Sequence, residues 1–180
     1  MSAQSDSGTG VLHHGESENA MNPLLTVMDI DGVCADVRHR LHFVQQRPKQ
    51  WDEFFAAAVD DTPLPQAIEV AHGAARLVYL SGRPERYRTD TVAWLKQHGF
   101  PAAPVHLRPD HDTRPAARFK PEALARLGGP SAIEAVYDDD EKVVVALRAL
   151  GFHVVHVTWM PASEPQQLTL LDIQETQGRT

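Results

Sequence analysis

The chain is poor in cysteine, in long apolar runs and in any excess of basic charge. It holds one cysteine, Cys34, in 180 residues, so an internal disulfide is excluded and nothing points to an oxidising compartment. Its longest apolar runs are only a few residues, far short of the roughly 20 that cross a bilayer. Residues 1–22 contain no basic patch followed by an apolar stretch, so no secretory signal is read there. No G-x-x-x-x-G-K-[ST] loop occurs anywhere, which removes an ATP-driven 5′-kinase from the expected activities. These absences leave the cytoplasm as the simplest location and exclude a membrane partner.

The formal net charge of −7 is concentrated at the ends. Residues 1–22 carry Asp6, Glu16 and Glu18 with no Lys or Arg, and residues 161–180 carry three acids against Arg179. The body, 23–160, is therefore close to neutral at −2. A protein that coats nucleic acid needs a basic face; binding a phosphate at one site needs none.

What is present is one domain's worth of core, with 42% hydrophobic residues. Residues 1–22 read as a disordered N-terminal tail and 161–180 as a C-terminal tail in which Leu168–Ile173 is the segment suited to docking on the body. Between them, apolar runs alternate with amphipathic segments. Strands are predicted at Leu24–Met28, Leu77–Leu80, Val105–Leu107, Ile133–Tyr137 and Phe152–Val157. Helices are predicted at Trp51–Val59, Gln66–Ala75, Pro84–His98, Pro121–Leu127 and Glu141–Leu150. Strands separated by helices predict an α/β fold, a parallel sheet with helices on both faces. Ligands of such sheets lie beyond the carboxyl ends of the strands.

The polar residues gather at those ends. Asp29-Ile30-Asp31-Gly32-Val33 follows the first strand, Ser81-Gly82-Arg83 the second and Asp138-Asp139-Asp140 the fourth, while Lys120 opens the helix before the fourth. A carboxylate nucleophile can attack phosphorus and divide hydrolysis into two easier steps. A second carboxylate two residues on, along an extended segment, points the same way and can serve as general acid, then base. Carboxylates held together repel unless a cation lies among them, and Mg²⁺, which takes hard oxygen ligands and shares phosphate oxygens, suits the set. Ser81 and Lys120 can donate to the phosphoryl group, and Gly32 lets the chain turn away sharply.

Asp29-x-Asp31-Gly32-Val33, Ser81-Gly82-Arg83, Lys120 and Asp138-Asp139 resemble the four ordered motifs of the haloacid dehalogenase-like phosphohydrolases, over about residues 24–158. The finer resemblance is to the 3′-phosphatase domain of bacteriophage-type polynucleotide kinase-phosphatases. There too the serine lies in an SGR triplet, the lysine follows a DTR-type stretch (Asp112-Thr113-Arg114), and the Asp pair precedes a Val-Val helix (Val143-Val144). The resemblance implies a Rossmann-like three-layer sandwich with strand order 5-4-1-2-3. It implies Asp29 as nucleophile and metal ligand, and Asp31 as acid/base lending the metal its backbone carbonyl. Ser81, Gly82, Arg83 and Lys120 would bind the phosphate, and Asp138 or Asp139 would hold Mg²⁺, one directly and the other through water, with the sequence leaving open which. Val33 departs from the Thr of many members, and Asp140 extends the usual pair.

About forty residues separate Val33 from Leu77, and fewer separate Arg83 from Lys120. Neither gap accommodates a large cap domain, so the site is expected to admit the end of a polymer. Arg38, Arg40, Arg86, Arg88, Arg108, Arg114 and Arg118 lie near the motifs and, as a ring at the mouth, would hold backbone phosphates. The expected function is Mg²⁺-dependent removal of a 3′-phosphate from nucleic acid ends, with any kinase or ligase as a separate partner. The rivals are a small-molecule phosphatase acting on a nucleotide or sugar phosphate, and a non-catalytic binding module on the same fold.

Each residue also has a plainer reading. Ser81 reads as a turn or cap residue, Lys120 as a solvated lysine and Asp138–Asp140 as acids at a helix start. Arg83 and Arg86 read as partners of acids on their own helix. Trp51, Phe54 and Phe55 are spaced for core packing, with base stacking as the alternative. His39 and His42 read equally as substrate contacts or surface residues, and His13-His14 as part of the tail. Cys34 reads as a small buried residue and not a nucleophile.

Overall fold

The computed structural model describes residues 23–160; the tail expectations, Leu168–Ile173 and His13-His14 included, lie outside the described residues. Five parallel strands form the central sheet: β1 (Leu25–Met28), β4 (Leu77–Pro84), β5 (Val105–Arg108), β6 (Ile133–Asp138) and β7 (Val154–His156). Two short strands, β2 (Ala35–Asp36) and β3 (Thr62–Pro63), pair antiparallel apart from it. The sheet order is β5-β4-β1-β6-β7, the predicted order of the five main strands. The central strand is buried along its whole length, with Val27 paired to Val78 on one side and Val136 on the other.

Alternation along the strands divides the core into two layers. Val27, Val78, Leu80 and Val136 face Phe119 and Leu124 of α5 (Ala116–Arg126) and Val143, Val144 and Leu147 of α6 (Glu141–Ala149). Met28, Ile30 and Tyr79 face Ala67 and Ala71 of α3 (Pro65–Gly73) and Trp94 and Leu95 of α4 (Arg88–Gln97). Each large apolar side chain buried in these layers stabilises the fold by about 1.5–3 kcal/mol before entropy is counted. A third, smaller cluster of Val37, Leu41, Val44, Phe54 and Phe55 holds the segment carrying α1 (His42–Gln45) and α2 (Trp51–Ala56). Among the described residues this segment is too small to be a cap domain, and no helix is long and apolar enough to cross a membrane.

Four elements differ most from expectation. β4 runs on to Pro84, so Ser81-Gly82-Arg83 lies within the strand's irregular end instead of past it. Its helix starts at Arg88 after a 3-10 turn, because Pro84 is extended (φ −61°, ψ 148°). α5 starts at Ala116, not Pro121, so Lys120 sits inside a helix and does not open one. Pro121 forfeits one helical hydrogen bond, while Pro115 just before the helix has its carbonyl taken by Arg118 and Phe119. The stretch after Trp51 is helical to Ala56 and then tightens to 3-10 over Ala57–Asp60. The two-residue strands and α1 are too short to leave a readable period.

Candidate active site

The carboxyl ends of β1 and β6 lie side by side because the Asp29 N–H donates to the Tyr137 carbonyl (3.0 Å). Asp29 is buried, its Oδ1 accepting from the Ile30 N–H (2.8 Å) and its Oδ2 from Lys120 Nζ (2.7 Å). The same Nζ donates to Asp138 Oδ2 at 2.6 Å. Carboxylate oxygens of Asp29, Asp138 and Asp139 lie within 4.8 Å of one another. Gly32, at φ +79°, brings the chain back over this group, and a Cβ there would stand 2.0 Å from Asp139 Oδ2. That position therefore demands glycine twice, for its backbone angle and for the approach of Asp139.

The electrostatics record a shortage of positive charge. Burial pushes the Asp29 carboxyl up to about 7, with Lys120 opposing and Asp138 and Asp31 adding to the rise. Burial, with Asp138 and Asp29 beside it, pushes Asp139 well above the carboxylate range. Burial would lower the Lys120 ammonium, but Asp138 and Asp29 outweigh it and raise it. A divalent cation would relieve this repulsion, and the donor set, all carboxylate oxygen, fits Mg²⁺.

Asp31 meets a different environment. It accepts from Arg83 Nη2 (2.7 Å) and Nε, and from Arg40 Nη2. Both arginines are buried and both continue to Asp61, Arg40 Nη2 at 2.6 Å and Arg83 Nη2 at 3.0 Å. His39 Nε2 lies 2.9 Å from Asp61 Oδ1, and the Asp61 carbonyl accepts from Trp94 Nε1 (2.9 Å). Burial alone would raise the Asp31 carboxyl, yet Arg83 and Arg40 overcome it and hold the group far below the usual carboxylate range.

Residues 23–159 match the family described as the polynucleotide kinase PNKP phosphatase domain. The chain belongs to this family. It is thus a phosphatase domain of the haloacid dehalogenase-like superfamily. No curated protein matches it. Two chains from structures of the Pnkp1/Rnl/Hen1 RNA repair complex are similar, with TM-scores of 0.61 and 0.62 at 19% and 20% identity over 76% of this chain. They are longer proteins, of which the match covers 43% and 47%. A haloacid dehalogenase-like hydrolase, SP0104 from Streptococcus pneumoniae, gives 0.55 at 12% identity over 77% of this chain and 86% of that one. At such identities the likenesses show the fold.

Within this phosphatase domain the predicted site residues divide into groups. Asp29, Lys120, Asp138 and Asp139 come together. Asp31 and Arg83 join each other in the arginine network, so the Arg83 guanidinium is spent on Asp31 and Asp61. Ser81 is fully buried, its Oγ accepting from the Arg83 N–H (3.2 Å). Gly82 lies against Arg108, where a Cβ would stand 3.0 Å from Nη2. Asp140, whose role was open, caps α6 by accepting from the Lys142 and Val143 N–H groups (2.8 and 2.9 Å).

Five of the seven arginines expected around the mouth, Arg38, Arg40, Arg86, Arg88 and Arg114, are engaged by acids. Arg40 is interior, Arg38 binds Asp36, Arg88 binds Glu85, and Arg114 binds Asp112 and Glu122. Acids close in sequence or space neutralise them, which a count of basic residues cannot show. Phe54 and Phe55 are core, as their spacing predicts, while Trp51 stays partly exposed. Cys34 is buried, its Sγ 3.1 Å from the Asp29 carbonyl, and burial with nearby Asp29 pushes the thiol up and away from reactivity. Asp61 escaped sequence reasoning: it follows a 3-10 turn, belongs to no motif and precedes Thr62-Pro63.

Proposed function

We propose that this chain is a Mg²⁺-dependent polynucleotide 3′-phosphatase acting through a phosphoryl-aspartate on Asp29, with residues 23–160 as its catalytic domain. The observation that carries this reading is the match of residues 23–159 to the PNKP phosphatase-domain family, joined to the three-carboxylate group at the sheet edge. The likeness to chains of an RNA repair complex accords with a role at nucleic acid ends.

Asp29 attacks phosphorus, a P–O bond to Asp29 forms, and the ester P–O bond breaks. Asp31 protonates the departing 3′-oxygen, then takes a proton from the water that attacks the phosphoryl-aspartate, releasing inorganic phosphate and free Asp29. Arg40 and Arg83 favour the ionised Asp31, which is the form the second step needs. The incoming dianion opposes that ionisation and supplies the proton affinity needed for the first. Asp29, Asp138 and Asp139 would hold Mg²⁺, which when bound neutralises the phosphoryl oxygens. Lys120 has three donors, two of them committed to Asp29 and Asp138, leaving the third for the phosphoryl group. Ser81, whose Oγ already accepts from Arg83, has its hydroxyl hydrogen to offer as well. Arg83 is here a positioning residue for Asp31.

The test is phosphate release from matched oligonucleotides ending in 3′-phosphate or 5′-phosphate, beside a 3′-mononucleotide, with Mg²⁺ and with EDTA. Mg²⁺-dependent release mainly from the 3′-phosphorylated oligomer is expected. Faster release from the mononucleotide, or indifference to the end, would keep the phosphatase chemistry and move the substrate to a small metabolite.

A further inference from the structure

A cleft of about 480 Å³ is lined among others by Lys49, Trp51, Asp52, Glu53, Arg86 and Thr113. Two links tie it to the catalytic edge. Arg86 belongs to the turn that follows Arg83. Phe54, on the helix that Trp51 begins, has its carbonyl bound by Arg40 Nη1 (3.3 Å), the same guanidinium that holds Asp31.

Lys49 is the anomaly of this cleft. Its Nζ is enclosed with no hydrogen-bond partner among the described residues and lies 5.9 Å from the centre of the Trp51 ring. Burial and neighbouring Arg47 depress its ammonium. An ammonium withdrawn from water without a hydrogen-bond partner is costly, and an anion entering the cleft that Lys49 lines reduces that cost. The four-carbon stem lets Nζ turn to meet it. The cleft is no general basic patch: Asp52 and Asp110 both engage Arg86, and Glu53 adds a further acid. One phosphate at one place suits it better than a polyanion laid across it. Trp51, stacked on Phe55 (ring centroids 5.9 Å) and still partly exposed beside that cation, is held in place to offer its remaining surface to a base, the pairing of aromatic ring and positive charge found in single-strand binding.

We propose that this cleft seats the nucleotide preceding the 3′ end of a single-stranded polynucleotide, with Lys49 receiving its phosphodiester and Trp51 its base. The proposal rests on the 3′-phosphatase reading in placing the strand's end at Asp29. It gives the site a reason to prefer polymers over mononucleotides.

The experiment measures binding of labelled short oligothymidylate and oligouridylate ending in 3′-hydroxyl, so that no turnover is needed. It compares the intact chain with Lys49→Ala, Lys49→Arg and Trp51→Phe across a salt series. Lys49→Ala is expected to weaken binding about tenfold and to flatten the dependence of log affinity on log salt by about 0.7. Lys49→Arg should retain the slope, and Trp51→Phe should weaken binding with the slope unchanged. Turnover of p-nitrophenyl phosphate should stay constant in all three variants. Absence of binding by the unsubstituted chain, equal affinity and slope in Lys49→Ala, or an equal loss of p-nitrophenyl phosphate turnover would each overturn the cleft assignment. Lys49-dependent binding without release of 3′-phosphate would keep the cleft and sink the 3′-phosphatase reading. Release of 3′-phosphate with binding indifferent to Lys49 would do the reverse.

Discussion

Two carboxylates separated by one residue meet opposite surroundings. Asp29 shares its hydrogen-bonded cation, Lys120, with Asp138, and Asp139 crowds the same space. Asp31 is joined to Arg40 and Arg83, and those to Asp61, so acids and bases there are equal in number. The first group is short of positive charge, and burial leaves Asp29 and Asp139 reluctant to ionise. The second is closed, and its acid is held ionised. A buried charge deficit is one that a cation arriving from outside would relieve. A buried charge balance is a framework that fixes its own members at set angles.

The sharpest way to break this contrast is Asp29→Asn. The amide is a poor nucleophile, so phosphate release should vanish, while removal of one crowded acid should leave the thermal midpoint equal or higher. Substantial residual turnover would rule out the covalent route. Asp31→Asn should lower kcat by about 10²–10⁴-fold, measured on a 3′-phosphorylated oligonucleotide, and a near-normal rate would remove Asp31 from proton transfer.

Asp61 probes the framework. Asp61→Ala strips one acid from two buried arginines and should destabilise the fold by about 3–5 kcal/mol, read by denaturant melts. An effect within ~0.5 kcal/mol, the usual scale of a surface change, would show that the network is not structural. The smallest effect expected is that of the cation on stability. Mg²⁺ at about 100 times its dissociation constant should add ~2.7 kcal/mol to the unsubstituted chain. The gain should shrink in Asp139→Asn and persist in Lys49→Ala. An equal gain in both variants would separate the cation from the carboxylate group.

The contrast between the two acids was only half legible. Asp29, Asp138 and Asp139 follow strands whose apolar runs stand out in the sequence, and the strand order brings those ends together. Arg40 was visible as a basic residue near a motif, but its burial was not, because its partner Asp61 is remote in sequence and sits in an irregular stretch. Lys120 was visible as a motif residue, yet Pro121 masked the helix that carries it. The basic ring dissolved for a related reason: Arg86 and Arg114 find acids that only folding brings near, Asp52 across the cleft and Glu122 on α5.

By itself the sequence determined the α/β alternation, the five main strands and the residues at their carboxyl ends, since these follow from local period, turn residues and short motifs. The tertiary structure alone decided which charges neutralise one another. Coulomb partners in a buried site are chosen by distance in space, and Asp31 with Arg83, Lys120 with Asp29, and Arg40 with Asp61 are joined across separations that no local pattern records.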